Sequence, residues 1–347
     1  MEKPLYYSDY LQLDKILTAQ ELESLKIGSQ AVHDEMIFII VHQTYELWFK
    51  QILIEIDSVL AIMHQPTLND NSPELQTIVH RLNRVVSILK LLVQQIDVIE
   101  TMTSMDFLDF RDYLYPASGF QSWQFKVLEA KLGLKYKHRH GQEYYISQLQ
   151  QIHIDAIKEA EAECSLLELV NAWLERLPFF DVETYWNTYQ SVSGNNSGHP
   201  FWADYEHIYA NSLSAVGQKN SDPFKIVLTG SDETAERNLS AKACRSALFI
   251  SLYHQYPMLE LPFQLLNTLL EIDNQLTSWR SRHINMVRRT LGSRMGTGGS
   301  TGASYLQGAR DNHHIFDELA QLNSFLINRQ KLPILPEKLV KKLGYSF

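Results

Sequence analysis

The chain reads as all-α, a large bundle of long, buried helices with one loop-rich small subdomain, and three observations predict it. Apolar residues recur at helical spacing along most of the 347 residues, while the alternation of a half-buried strand is nearly absent. Two runs of about thirty residues carry only thin polar strips, enough for buried helices roughly 45 Å long. Caps and prolines punctuate the chain where such runs begin and end. We expect a single domain over 1–347, with residues 1–17 as an N-terminal arm and about 191–231 as a loop-rich excursion.

The arm, around Tyr6-Tyr7-Ser8-Asp9-Tyr10-Leu11, is aromatic and irregular. Thr18-Ala19-Gln20-Glu21 has the capping-box pattern, which predicts that a short helix starts there. A long helix is predicted from Asp34 to about His64, its polar strip reduced to Gln43, Glu46, Lys50 and Asp57. Ser72-Pro73-Glu74 then supplies an N-cap with proline at the first helical position, opening a second long helix to about Ser104. Pro116 and Gly119 break the pattern, and a helix resumes near Gln121. One or two amphipathic helices should fill about 142–177. The Ser-, Asn-, Gly- and Pro-containing stretch 191–231 should hold a few helical turns. Helices return over about 233–254, from Pro262 onward, and over about 315–327.

Composition narrows the function. A formal charge of −9 and a pI near 5.8 argue against nucleic acid or an anionic membrane as partner. The longest apolar segment, Val85 to Ile99, is interrupted by Lys90, Gln94, Gln95 and Asp97, so no membrane span is expected. Cys164 and Cys244 lie far apart and read as reduced thiols, and the N-terminus lacks the hydrophobic run of a signal peptide. A cytoplasmic protein is expected.

The most unusual stretch runs from Glu271 to Gly302. At helical spacing Ile272, Leu276, Trp279, His283, Met286 and Val287 share an apolar face, with Arg280, Arg288 and Arg289 pointing elsewhere. A glycine-rich loop follows, Gly296-Thr297-Gly298-Gly299-Ser300-Thr301-Gly302, whose backbone N–H groups can approach a ligand closely. An imidazole within a greasy stripe is equally the pattern of a hydrogen-bonded core histidine, and the loop that of a helix stop.

Three further groups carry chemistry. His42 shares a helix face with Phe38, Tyr45 and Phe49, either as a ligand-facing imidazole or as a core residue. Arg111, in Asp109-Phe110-Arg111-Asp112-Tyr113, could clamp a carboxylate bidentately or pair with Asp109 or Asp112 at the surface. Tyr7 and Tyr10 lie on the arm. Two histidines on two buried, aromatic helices suit a haem held between them, one imidazole on iron and one facing the open position. Zinc fits less well, because no further ligand stands at short spacing from either histidine.

The extended strings YSDYLQLDKIL, HDEMIFIIVHQTYELWFKQILIEIDSV, RLNRVVSILKLLVQQIDVIETMTSMDFLDFRDYLYPASGFQS, LPFQLLNTLLEIDNQLTSWRSRHINMVRRTLGS and GTGGSTG cover about half of the chain in order. Together they resemble the tryptophan 2,3-dioxygenases, within the superfamily of haem-dependent tryptophan and indoleamine dioxygenases. The resemblance implies one haem b per subunit, ferrous when active, with His283 as its axial ligand. It implies His42 near the indole nitrogen and Phe38 and Phe107 flanking the ring. Arg111 would grip the substrate carboxylate, Thr297 would contact the ammonium and carboxylate, and Ser118 would lie by the haem edge. It further implies a homotetramer in which Tyr7 and Tyr10 reach a neighbouring subunit's pocket. The substrates would be L-tryptophan and O2 and the product N-formyl-L-kynurenine, the opening step of tryptophan catabolism by the kynurenine pathway. Two rivals are an enzyme of the same fold acting on another indole and a haem-binding sensor or carrier without turnover.

Overall fold

The computed structural model describes residues 4–65, 68, 72–139, 146–193, 198–213, 221–230, 237–292, 308 and 313–344. Among them the regular structure is helical, with no strand. In chain order the α-helices are α1 (Tyr7–Leu11), α2 (Leu13–Ile16), α3 (Glu23–Gly28), α4 (His33–Met63), α5 (Pro73–Ile99), α6 (Ser104–Arg111) and α7 (Trp123–Leu132). There follow α8 (Gln151–Ala162), α9 (Leu166–Arg176), α10 (Pro200–Ser212), α11 (Ser221–Thr229), α12 (Ala241–Tyr253) and α13 (Pro257–Leu291). Two short helices, α14 (Asp317–Gln321) and α15 (Glu337–Leu343), complete the set.

Local chemistry fixes several ends. Ser72 Oγ accepts from Leu75 N ahead of Pro73, which opens α5 as the sequence predicts. That helix stops at Ile99, short of Ser104, because Thr103 and Asp106 form a reciprocal capping box that starts α6. The box expected at Thr18–Glu21 does not form. Thr18 donates its hydroxyl back to the Asp14 carbonyl, and α3 begins at Glu23. Its cap comes from elsewhere, since the Glu35 carboxylate of α4 accepts from Glu23 N at 2.7 Å and Ser24 N at 3.1 Å. Pro257, not Pro262, opens α13, and Pro262 is carried inside it.

The long helices make the frame. Arg84 pairs with Glu55 at 2.7 Å, and Gln95 Nε2 donates to the Val41 carbonyl at 3.0 Å, so α4 and α5 run antiparallel. Lys90–Glu271 and Arg282–Asp97 ion pairs show α13 running parallel to α5. Ile52, Ile56, Leu75, Ile78, Leu82, Leu269 and Ile272 are fully buried where these helices meet α9 and α12. Each such side chain contributes about 1.5–3 kcal/mol of transfer free energy. Around 200–229, where only a few turns were expected, α10 and α11 form because Phe201, Tyr205, Tyr209 and Phe224 insert into this same core. The helix expected over about 315–327 is α14 followed by a 3-10 turn, Leu322–Phe325, and α15 is an addition the periodicity did not reveal.

Candidate active site

A second, smaller core lies where α4, α5, α6 and α13 meet, and it takes in Phe38 and Phe107 of the predicted site residues. Tyr45 on α4 and Trp279 on α13 approach edge to face, with centroids 6.2 Å apart. Because the two helices are antiparallel, three residues back along α4 and four forward along α13 reach the same level. Those positions are His42 and His283. The two imidazoles are therefore near enough that the charge of His42 is felt at His283.

His283 stacks on Trp279 with centroids 5.1 Å apart and planes 12° from parallel. Loss of hydration, and secondarily the charge of His42, push its pKa down to about 4. The ring is therefore neutral at physiological pH, the form that ligates metals. Its Nδ1 is buried without a hydrogen-bond partner. His42 is exposed by surface area, yet enough protein surrounds the ring that desolvation lowers its pKa against the opposing pull of the Phe38 carbonyl and Glu46. His42 Nδ1 lies 2.7 Å from Phe38 O, so Nδ1–H donates and Nε2 is left as an acceptor.

The phenylalanines form the wall beside His42. Phe38 lies 4.1 Å from the His42 ring, 5.7 Å from Phe107 and 5.5 Å from Phe110, centroid to centroid. Phe110 was not singled out in the sequence, although its i+3 spacing from Phe107 places it on the same face of α6. That helix is tied to α13 where Ser104 Oγ donates to Arg289 O. Arg111 closes α6 with 18 % of its side chain exposed and pairs loosely with Asp112 at 3.9 Å, one of the two carboxylates considered for its alternative role. The following turn is braced by Tyr113, whose ring packs so tightly on Gly28 of α3 that a Cβ there would lie 2.6 Å from its hydroxyl.

Ser118 is half-buried and caps the 3-10 turn Gly119–Gln121, accepting from Phe120 N while its own N–H meets Gln121 Oε1 at 3.2 Å. Tyr7 and Tyr10 stand apart from the cluster, 71 % and 69 % exposed on α1, which buries nothing within its own chain. Thr297 and the glycine-rich loop lie outside the described residues.

Sequence reasoning missed one group altogether. Arg280, read as pointing away from the apolar face, is 3 % exposed and paired with Glu129 of α7 at 2.6 Å. Glu129 also receives Arg139 at 2.7 Å. Its spacing of four residues from Leu276 and from Ile284, both buried, was the available signal.

The donor set suits a haem. Among the described residues no three His, Cys, Asp or Glu side chains come together as a cage for a bare ion. A haem iron brings its own four pyrrole nitrogens and needs one protein imidazole, which a neutral, unpartnered His283 in an apolar wall can supply.

Fold and site together define an all-α protein in which two neutral imidazoles and a cluster of phenylalanines come together between long helices. The family model described as tryptophan 2,3-dioxygenase matches residues 1–326, and the chain belongs to that family. The tryptophan 2,3-dioxygenase of Alteromonas mediterranea is 41 % identical over 361 residues, covering 99 % of this chain and 98 % of that protein. That of Dictyostelium discoideum is 42 % identical, covering 100 % and 90 %, and that of Rattus norvegicus 41 %, covering 95 % and 84 %.

Proposed function

We propose that the protein is a haem-dependent dioxygenase that inserts both atoms of O2 across the indole C2–C3 bond of L-tryptophan, giving N-formyl-L-kynurenine. What supports this reading is that His42 lies near enough to act on His283, with Phe38 and Phe107 beside it, in a chain whose relatives bear the name tryptophan 2,3-dioxygenase. His283 would hold haem b, one per subunit. Ferrous haem supplies the redox partner that triplet O2 needs before it can react with a closed-shell molecule.

The chain's own residues bind and orient. Arg111 pairs with the substrate carboxylate, joined by Thr297, while Phe38 and Phe107 hold the indole ring and exclude water. His42 Nε2 accepts a hydrogen bond from the indole N–H. A neutral imidazole is far too weak a base to remove that proton readily, so the electron-rich C2–C3 bond acts as the nucleophile. Ser118 lies at the rim of the pocket. Six exposed apolar side chains of the arm, Leu5, Tyr6, Tyr7, Tyr10, Ile16 and Leu17, support its docking on a neighbouring subunit of a homotetramer. Two unpaired thiols agree with a cytoplasmic setting. No described helix is long and apolar enough to cross a membrane.

The test is anaerobic reconstitution with ferrous haem, then tryptophan, then air. Stoichiometric haem, tryptophan-dependent O2 uptake and N-formylkynurenine are expected, with His283→Ala folded but unable to retain haem. A haem spectrum without tryptophan-dependent O2 uptake would indicate a sensor or carrier. Normal haem content and turnover in His283→Ala would overturn the site.

A further inference from the structure

Two contacts join α7 to α13 just before His283. Phe125 meets Trp279 at 5.1 Å between centroids, and one turn further along α7 Glu129 meets Arg280. Glu129 is almost fully buried, and its two oxygens serve two guanidiniums. Oε1 accepts from Arg280 Nη2 at 2.6 Å and Oε2 from Arg139 Nη1 at 2.7 Å. Both arginines have further partners. Arg280 Nη1 donates to His313 O at 3.1 Å, Arg139 Nη2 to Lys126 O at 2.9 Å, and Arg139 Nε to Glu161 Oε1 at 3.1 Å.

Such a cluster is a poor source of net stability, because stripping water from each ion offsets most of the attraction. What charge-assisted, directional bonds provide is geometry. On α13 that geometry bears on one residue. At about 100° per residue, Trp279 lies about 100° to one side of Arg280, and His283 projects between them, roughly 60° from Arg280 and 40° from Trp279. Helix α13 is thus held on both sides of the direction in which the imidazole points.

We propose that Glu129, acting through Arg280, is a positioning residue for His283. It fixes the rotation of α13 about its axis and with it the aim of the imidazole at iron. The proposal rests on the reading of His283 as the haem ligand. Phe125 and Trp279 supply an apolar stop on one side, and the Glu129–Arg280 bond supplies the restraint on the other.

The experiment compares ferrous holoenzyme of the wild type, Glu129→Gln, Arg280→Lys and Asp273→Asn. Asp273 is a buried carboxylate on the same helix that feels the charge of Arg280 but binds the Ile315 and Phe316 amides and not Glu129, so it calibrates loss of stability with the Glu129–Arg280 bond intact. The readouts are the iron–histidine stretching band by resonance Raman, haem loss to excess apomyoglobin, and kcat and KM separately.

In Glu129→Gln the band should shift or broaden and haem loss should quicken about ten- to a hundredfold, the usual range for partners that orient a metal ligand. Asp273→Asn, at a similar fall in Tm, should keep the wild-type band. Arg280→Lys should show the same shift in milder form, because one ammonium cannot reproduce the planar fork that serves both Glu129 and the His313 carbonyl. It decides the matter if Glu129→Gln fails to fold. An unshifted band in both Glu129→Gln and Arg280→Lys overturns the proposal, as does an equal shift in Asp273→Asn. A wild-type chain that takes up no haem sinks both the ligand reading and this inference.

Discussion

His42 Nδ1 lies 2.7 Å from the carbonyl oxygen of Phe38, one helical turn earlier, and this bond decides which nitrogen the pocket receives. With Nδ1–H committed to the backbone, Nε2 presents a lone pair. Crowding lowers the pKa, so that lone pair is free at neutral pH. An acceptor of this kind can orient an indole N–H but has little power to remove its proton.

His42→Ala should accordingly slow turnover without abolishing it. A single neutral hydrogen bond is worth about 0.5–1.5 kcal/mol, roughly a two- to thirteenfold loss in kcat/KM. Steady-state kinetics at saturating O2 measure it. Complete inactivation with haem and tryptophan still bound would make His42 an obligatory base.

Arg111→Leu should leave haem in place and weaken tryptophan. Loss of a charge-assisted bond to a carboxylate costs about 1.5–3 kcal/mol, or roughly ten- to 150-fold in kcat/KM. The half-buried position at the end of α6, beside Phe107 and Phe110, is what an ordinary surface arginine lacks. An effect below about threefold would return Arg111 to the surface role.

What could be read from sequence divides along physical lines. The start of α5 was legible because its signal is local, in Ser72 and Pro73, and α4 because its apolar periodicity runs its whole length. The start of α3 was not, because its cap is Glu35, a carboxylate delivered by another helix. His42, Phe38, Phe107, Arg111 and His283 were legible as chemistry on apolar faces and through the family resemblance. That His42 and His283 come near one another depends on α4 lying antiparallel to α13, which no single stretch encodes. Arg280 and Glu129 stayed hidden because a charged residue on a helix reads as solvent-facing until another helix covers it.

Glu129 also makes stability depend on pH in a calculable direction. Burial pushes its carboxyl up, but the His313 imidazole and the Arg139 and Arg280 guanidiniums together hold it well below the ordinary 4.5. A depressed folded-state pKa stabilises the fold above the unfolded value, and that contribution is lost as pH falls through the folded value. The wild-type Tm should therefore drop on acidification below about 4.5, by the linkage just described. Glu129→Gln has no such proton to take up and should show a shallower acid slope, although its Tm near neutrality is lower. Thermal melts across the acid range decide, and parallel slopes would count against the assigned direction.

The arm gives the last prediction. Leu5, Tyr6, Tyr7 and Tyr10 are all more than half exposed, and neither α1 nor α2 buries a residue in its own chain. An apolar arm of this kind gains stability only by docking elsewhere, and a neighbouring subunit's pocket is the proposed place. The test mixes two crippled chains, Tyr7→Ala/Tyr10→Ala and Arg111→Leu, by co-expression or co-refolding. If the arm acts in trans, hybrid oligomers contain some pockets that combine an intact Arg111 with an intact arm from the other chain. Activity should then exceed that of either parent. A mixture no better than the average of its parents, with hybrid oligomers demonstrated by mass spectrometry, would place the arm's action within its own chain.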